Sequence, residues 1–389
     1  MRLPVLMYHS VNPGGGGWRY PHLTISPSTF DAQLRYLSVA GFRTVFLDEV
    51  YACKRGVVSL DKMVALTFDD GYLDNWVFVF PLLRKYGMKA TIFVSTDFVA
   101  RTGNQLRPQS DQVGDKAPLH KGYLSWAEMR VMESSGLIDI QSHTRTHTWL
   151  FQNDQVVDFH HPGDGELPGM PYEWLTWNAM PKMKSRSLEM DGKTLERLVD
   201  YGLPIFSFDR ALVGRQYFPD SSICKHLVSF VEEEGADFFS RDDWRSRLFG
   251  VYEQYVAANG IGGWYETEQE YLDRIRDELF GSKAILEKAL NKRVDFLCWP
   301  GGAYTTEALS IAQEAYRATT AKGSPNIPGE DPTRIERISF RQFKRAHAGL
   351  DVLAVANFIL KLRSYSEDAA IGRVWRMLRK TWRRLAREG

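Results

Sequence analysis

The segment Met63-Val64-Ala65-Leu66-Thr67-Phe68-Asp69-Asp70-Gly71-Tyr72 decides the fold and supplies the first candidate site residues. A short apolar run that ends in a turn sequence is typical of a strand buried on both faces. Because the chain turns at Gly71, Asp69 and Asp70 could both reach one cavity. One carboxylate could then be held ionised by a metal while the other acts as a base. A plain Asp-Asp-Gly turn is the alternative interpretation.

Similar apolar runs alternate with helical patterns along much of the chain. The predicted strands are 4–8, 44–47, 63–68, 90–94, 137–141, 294–299 and 337–340, and the predicted helices include 77–86, 126–134, 268–290, 306–316 and 352–362. This alternation predicts a parallel α/β fold with its chemistry on the loops that follow the strands. From about residue 150 to residue 266 the rhythm breaks, and the many prolines and aromatics there predict a long irregular insertion.

A second polar sequence, Ser142-His143-Thr144-Arg145-Thr146-His147, follows the predicted strand at 137–141. Two imidazoles four residues apart can converge on one ion, although histidines near strand ends are often only hydrogen bonded. Together with Asp70, they would form a site of one carboxylate and two imidazoles with open coordination positions, as a catalytic Zn²⁺ requires. Asp69 would lie beside the ion and could take a proton from water.

Two further sequences follow predicted strands. In Trp299-Pro300-Gly301-Gly302, the backbone N–H of Gly301 could hold the oxyanion of an acyl-transfer intermediate, although an ordinary turn explains the same residues. In Met7-Tyr8-His9-Ser10, His9 ends the first strand and could protonate a leaving group, and a merely buried histidine is the alternative.

The four sequences around His9, Asp69, His143 and Gly301 occur in an order that resembles the NodB-type polysaccharide deacetylases, carbohydrate esterase family four. The chain is most similar to the branch with an N-terminal Tyr-His motif and a Phe-x-x-Pro-x-Gly third motif. The resemblance covers about residues 1–150 and 268–345. It implies a distorted (β/α) barrel, one divalent ion (Zn²⁺ first, Co²⁺ or Ni²⁺ as alternatives) and hydrolysis of an acyl group from a sugar.

Residue by residue, the resemblance assigns Asp69 as the base, His9 as the acid and Gly301 as the oxyanion donor. It assigns the metal to Asp70, His143 and His147.

The chain departs from the family pattern at the third motif, where many members carry an arginine that orients the base. Cys298 and Trp299 occupy that stretch, so another cation must replace the arginine, with Arg337 and Arg334 as candidates. The usual C-terminal Leu-x-His motif is not visible around His347, which favours His9 as the acid.

The predicted organisation has four parts: 1–150 and 267–362 as the two parts of the barrel, 151–266 as an inserted cap and 363–389 as a basic amphipathic tail. Long loops over a catalytic face usually shape substrate access. Four cap residues could line the pocket, although packing of the cap explains them equally: His160, His161, Trp174 and Trp177.

The tail carries seven basic residues and one acidic residue from position 371 onward. Its apolar residues share one helical face: Ile371, Val374, Trp375, Leu378, Trp382 and Leu385. Such a helix suits an anionic membrane surface, with docking on the barrel or nucleic-acid contact as alternatives. The whole chain has 49 basic and 48 acidic residues. Its net charge is therefore close to zero and does not favour a nucleic-acid partner.

These observations predict a metal-dependent N-deacetylase that acts on an N-acetylated amino sugar of a polysaccharide or a lipid-linked glycan. No signal-peptide pattern opens the sequence and three cysteines are far apart, so we expect a cytoplasmic protein, peripheral on the inner membrane face. The alternatives are a deformylase or O-deacetylase with the same machinery, and an inactive glycan-binding homologue. A glycosidase using Asp69 and Asp70 would leave both histidines unexplained.

Overall fold

The computed structural model describes residues 2–14, 18–57, 62–113, 119–163, 172–339 and 348–366. The chain folds into two compact units. The first contains the described residues up to Thr144, Ser282–Gly302 and those from Ala312 onward, and the second contains Arg145–Gly281 and Ala303–Ile311. The predicted membrane tail and His347 lie outside the described residues, and the four-part organisation stays a prediction.

The described ranges contain strands and helices in alternation. The strands are β1 (Val5–Tyr8), β2 (Ser10–Val11), β3 (Thr24–Ile25), β4 (Arg43–Val45), β5 (Met63–Phe68), β6 (Ala90–Val94), β7 (Ile138–Ser142), β8 (Trp149–Phe159), β9 (Pro204–Arg210), β10 (Tyr217–Phe218), β11 (Trp264–Tyr265), β12 (Phe296–Leu297), β13 (Ala318–Ala321), β14 (Arg334–Glu336) and β15 (Ile338–Ser339). The helices are α1 (Pro27–Val39), α2 (Leu47–Lys54), α3 (Phe80–Tyr86), α4 (Trp126–Ser134), α5 (Glu173–Ala179), α6 (Gly192–Glu196), α7 (Ser221–Glu234), α8 (Trp244–Asn259), α9 (Glu268–Arg276), α10 (Ser282–Leu290), α11 (Thr306–Ala315) and α12 (Ala348–Ser366).

The first unit is built on one parallel sheet with the order β14-β13-β12-β7-β6-β5-β1-β15, and β4 also pairs with β5. Every residue of β5 is buried, as expected for a central strand covered on both faces. The sheet curves until it nearly closes into a barrel surrounded by helices, which confirms the predicted distorted (β/α) barrel.

The two edge strands of the sheet, β14 and β15, follow one another directly in the chain. β14 pairs with β13 at one end, β15 pairs with β1 at the other, and Arg337 alone separates β14 from β15. Fully buried Asn326 joins the two ends, because its side-chain amide donates to the carbonyls of Leu3 (3.1 Å) and Glu336 (2.8 Å). The seam of the barrel is thus closed by hydrogen bonds at this point.

Three of the predicted elements need correction. β4 ends at Val45 and Leu47 begins α2, where the acidic residues that follow favour a helix start. The predicted strand at 337–340 is instead two short strands on either side of Arg337. The predicted helix at 268–290 is interrupted by a π-helical turn at Asp277–Gly281.

The predicted irregular structure of residues 150–266 is wrong, while their status as an inserted segment stays a prediction. The second unit contains a long antiparallel pair, β8 and β9, and helices α5 to α8. Two of its prolines lie at the starts of elements instead of interrupting them: Pro204 begins β9 and Pro181 begins a 3₁₀ turn. Ile223, Leu227 and Val231 form one buried face of α7 at helical spacing, a signal that proline content obscured.

None of the helices within the described ranges has the length and apolar character that a bilayer-spanning segment needs. Cys53, Cys224 and Cys298 form no disulfide, as their spacing predicts.

Candidate active site

The strand β5 delivers Asp69 and Asp70 to the carboxyl end of the sheet. The backbone of Asp69 continues the strand, since its N–H donates to the carbonyl of Tyr8 at 3.0 Å. The chain then turns through two left-handed residues, Asp70 (φ 71°) and Gly71 (φ 66°). A side chain at Gly71 would meet Val94 at 3.1 Å, so this turn requires glycine.

Asp69 is held by the guanidinium of Arg337 in a bidentate ion pair. Nη1 of Arg337 lies 2.6 Å from one carboxylate oxygen of Asp69, and Nη2 lies 2.9 Å from the other. The side chain of Asp69 is 4% exposed and that of Arg337 is 10% exposed. Of the two arginines considered from the sequence, Arg337 is the one that contacts the predicted base. The arginine that pairs with Asp69 therefore lies at the seam of the barrel, between β14 and β15.

The surroundings of Asp69 set its charge. Burial alone raises the pKa of this carboxyl, but the Arg337 guanidinium, with smaller contributions from His9 and His143, holds the pKa below its ordinary value. Asp69 is therefore a carboxylate at neutral pH, the form that can accept a proton.

His9 lies on the other side of the same carboxylate. Its Nε2 is 3.7 Å from Oδ2 of Asp69, and its side chain is 20% exposed. The structure thus places the predicted acid next to the predicted base, with the imidazole partly exposed to solvent.

A buried polar cluster that sequence reasoning missed fixes the backbone around His9. Asp74 accepts hydrogen bonds from Ser10 (2.5 Å) and Asn12 (3.0 Å), and Asn75 donates to the carbonyl of His9 at 3.0 Å. Burial raises the pKa of Asp74 above its ordinary value, although the hydrogen bonds from Ser10 and Asn12 oppose this shift. The signal available in the sequence was the pair Asp74-Asn75, which begins three residues after Gly71.

Asp70, His143 and His147 each offer one ligand atom, and these three atoms lie within 4.8 Å of one another. Oδ1 of Asp70 is 3.2 Å from Nε2 of His143. Two donors on a tetrahedral Zn²⁺ lie about 3.3 Å apart at ordinary bond lengths, so this spacing fits a divalent cation. The three predicted metal ligands are brought together by the fold.

The hydrogen bonding of His143 also suits a metal ligand. Its Nδ1 lies 2.8 Å from the carbonyl oxygen of Cys298, and because a carbonyl only accepts, Nδ1 carries the proton. In the neutral ring, Nε2 then presents its lone pair toward Asp70. Burial lowers the pKa of His143, but Cys298, Asp70 and Asp69 raise it well above its ordinary value.

A second group of donor atoms, from Asp69, His143 and Cys298, meets the same distance criterion. The guanidinium of Arg337 already binds two of its members, because Nη2 donates to Sγ of Cys298 at 2.9 Å as well as to Asp69. The Arg337 guanidinium therefore already supplies a positive charge to Asp69 and Cys298. Of the two groups, we expect the one formed by Asp70, His143 and His147 to hold the metal.

The loops that carry the predicted metal ligands are strained. Asp70, Thr144 and His147 have φ values of 71°, 65° and 44°, in the left-handed region that side chains other than glycine rarely adopt. Each such residue costs about 1–3 kcal/mol and persists where the surroundings fix it. Strain of this kind is concentrated at functional sites.

Gly301 lies in the turn that follows β12 and is exposed, with φ 58° and ψ 9°. This conformation costs glycine nothing, and it leaves the role of its N–H as a prediction.

The four cap residues singled out from the sequence pack within the second unit. Trp174 is 2% exposed and lies 5.0 Å from the ring of Phe208, and Trp177 is 6% exposed. Nε2 of His160 is 2.8 Å from the carbonyl of Glu196, and the ring of His161 lies 4.9 Å from that of Trp244. These contacts favour the packing interpretation.

Comparison with known proteins agrees with this geometry. The polysaccharide deacetylase family matches residues 57–161. A Bacillus subtilis protein named as a polysaccharide deacetylase, YxkH, is 34% identical over 150 residues, which are 38% of this chain and 44% of the relative. The poly-beta-1,6-N-acetyl-D-glucosamine N-deacetylase of Escherichia coli K12 is 25% identical over 140 residues, or 36% of this chain and 20% of that protein. The chain thus aligns with less than half of either relative.

Two solved structures share the fold over most of the chain. A de-N-acetylase from Aggregatibacter actinomycetemcomitans has a TM-score of 0.52 at 19% identity and covers 91% of this chain and 100% of its own. The BpsB deacetylase domain from Bordetella bronchiseptica has a TM-score of 0.50 at 20% identity and covers 87% of this chain and 95% of its own. These likenesses show that the chain has the fold of these deacetylases, and residues 57–161 are similar to the polysaccharide deacetylase family.

Proposed function

We propose that this protein is a metal-dependent hydrolase that removes the N-acetyl group from an amino sugar of a polysaccharide or a lipid-linked glycan. The observation that carries the proposal is the convergence of two sites: a cluster of Asp70, His143 and His147 fit for a metal, and a carboxylate, Asp69, paired with Arg337 beside it. The named relatives support the amide as the bond that is cleaved, because the Escherichia coli protein is an N-deacetylase of an N-acetylglucosamine polymer.

A divalent cation at Asp70, His143 and His147 would polarise the acyl carbonyl and make water more acidic. Asp69 accepts a proton from the attacking water, since Arg337 keeps it ionised and fixes both of its oxygens. His9, 3.7 Å from Asp69 and partly open to solvent, donates a proton to the departing amine. The N–H of Gly301 stabilises the oxyanion.

The geometry disfavours a glycosidase. Asp69 is bound by Arg337 and Asp70 lies against His143, so the two carboxylates have different partners and do not flank a common bond. An inactive glycan-binding protein would not require a base, an acid and three ligand residues in one place.

The direct test is incubation of the metal-loaded protein with N-acetylglucosamine oligomers, with released acetate and new amines both measured. N-formyl and O-acetyl sugars tested in parallel separate deformylation and O-deacetylation from the proposed reaction. Equal or better turnover of either one would replace the N-acetyl assignment.

Removal of a metal ligand should abolish metal binding. We expect about one divalent ion per chain in the unchanged protein and a large loss in His143→Ala, because two ligands hold a cation far less well than three. Elemental analysis of the purified proteins measures this. His226→Ala, an exposed histidine on α7, is the matched control and should keep its metal. Unchanged metal content in His143→Ala would refute the assigned site.

Loss of the base or the acid should spare the metal and reduce turnover. We expect Asp69→Asn and His9→Ala to lower kcat by about 10²–10⁴, the usual contribution of a general acid or base. Steady-state kinetics with metal content measured on the same samples tests this. Near-normal turnover of His9→Ala would mean that the acid is another residue.

Removal of Arg337 should change the pH dependence of activity. The guanidinium lowers the pKa of Asp69, so its loss in Arg337→Gln raises that pKa. The ionised base is then lost at higher pH, and the acidic limb of the kcat/KM profile moves upward. Arg334→Gln, on the neighbouring strand, is the control. An acidic limb at the same pH in both variants would exclude Arg337 as the residue that sets the charge of Asp69.

The basic tail supports a membrane-associated substrate. We propose that residues 371–389 dock on anionic lipid, where each Lys or Arg contributes about 1 kcal/mol, and that the glycan is presented there on a lipid carrier. The cytoplasmic location stays a prediction.

Deletion of 371–389 should leave hydrolysis of a soluble sugar intact and weaken hydrolysis of a lipid-linked one. Co-sedimentation with anionic vesicles should decrease with salt, because exposed charges are screened over about 8–10 Å. Equal sedimentation of the full-length and shortened proteins would contradict membrane docking by the tail.

A further inference from the structure

The loop between the two histidine ligands is bound by one distant carboxylate. Oε2 of Glu278 accepts hydrogen bonds from the backbone N–H groups of Arg145 and Thr146, both at 3.0 Å. Oε1 of Glu278 accepts a third from the hydroxyl of Thr146. Two successive N–H groups on one oxygen form an anion-binding concavity, which here is filled by a side chain of the same protein.

The position of Glu278 is buried and structurally unusual. Glu278 is 4% exposed, and it lies in the π-helical turn Asp277–Gly281 between α9 and α10. Such turns are rare and occur frequently at functional sites. Ser282, four residues further along, donates to the carbonyl of Thr144 at 3.0 Å. The same helical face therefore binds three consecutive residues of the loop.

These three residues lie between the ligands His143 and His147. Two residues of this short loop, Thr144 and His147, are left-handed, a conformation that a free loop would leave. The hydroxyl and both N–H groups that bind Glu278 belong to residues inside this strained segment. Nothing in the general acid, base or ligand assignments uses Glu278.

We propose that Glu278 is a positioning residue for the metal site: its carboxylate holds the loop in the conformation that brings His143 and His147 onto one cation. The inference rests on the proposed metal dependence. Residues that orient metal ligands through hydrogen bonds typically change metal affinity by about 10–100-fold when they are removed.

The test compares Zn²⁺ affinity, measured by competition with a chromophoric chelator, in the unchanged protein and in Glu278→Ala. We expect binding to weaken by about 10–100-fold and the visible spectrum of the Co²⁺-substituted protein to change as the ligands lose their geometry. Asp277→Asn is the matched control, because Asp277 precedes Glu278 and pairs with the side chain of Arg145 instead of the loop backbone. This variant should bind Zn²⁺ normally.

The variant Glu278→Gln tests whether the hydrogen bonds of Glu278 or its negative charge support metal binding. Its amide oxygen can still accept from both N–H groups, and its NH₂ can donate to the hydroxyl of Thr146, so we expect affinity close to that of the unchanged protein. An equal loss in the Gln and Ala variants would show that charge matters and would overturn the positioning role. If Glu278→Ala fails to fold, Thr146→Val removes one of the three bonds and should weaken binding to a smaller extent.

Normal Zn²⁺ affinity and an unchanged Co²⁺ spectrum in Glu278→Ala, or in Thr146→Val where the first variant does not fold, would overturn the inference. Failure of the unchanged protein to bind a divalent ion would instead refute the proposed metal-dependent function.

Discussion

The buried ion pair between Asp69 and Arg337 links the closure of the barrel to its chemistry. The two residues are separated by 268 positions in the chain and meet in a bidentate contact. Asp69 directly follows the central strand β5, while Arg337 lies where the two ends of the sheet come together. Removing one partner of a buried pair leaves an uncompensated charge, which typically costs about 3–5 kcal/mol. A sheet that failed to close would therefore lose both its seam and the ionised carboxylate in the candidate site.

The residues around Cys298 show how the protein accommodates the guanidinium of Arg337 next to Asp69. Cys298 is fully buried, and its small sulfur accepts a hydrogen bond from Nη2 of Arg337. The ring of Phe93 lies 5.6 Å from the guanidinium carbon and contributes a cation–π contact. An arginine at position 298 would place a second cation in the same space. Cys298 therefore leaves room for the single cation, Arg337, that contacts Asp69.

Strands and site residues that belong to one short stretch of sequence could be predicted. Contacts between residues that are far apart in the chain could not. The strand at 63–68 and the ligands Asp70, His143 and His147 follow from local apolar runs and the polar residues that end them. Arg337 was one of two candidates, since no local pattern shows which arginine reaches Asp69. The buried cluster around Asp74 and the contact of Glu278 with the loop join residues that are 62 to 133 positions apart in the chain. No periodic pattern in the sequence indicates such contacts. The regular structure at 150–266 was missed because prolines at element ends resemble the prolines of an irregular loop.

The strained residues explain why these distant contacts are needed. At positions 70 and 147, glycine would relieve the left-handed backbone but would remove a side chain of the candidate metal site. The surrounding structure must then hold each loop in place. Gly71 allows the turn after β5 to lie close to Val94. Glu278 and Ser282 bind the loop between His143 and His147. The ligand geometry is therefore a property of the folded barrel and its supporting helix, and the motifs alone do not contain it.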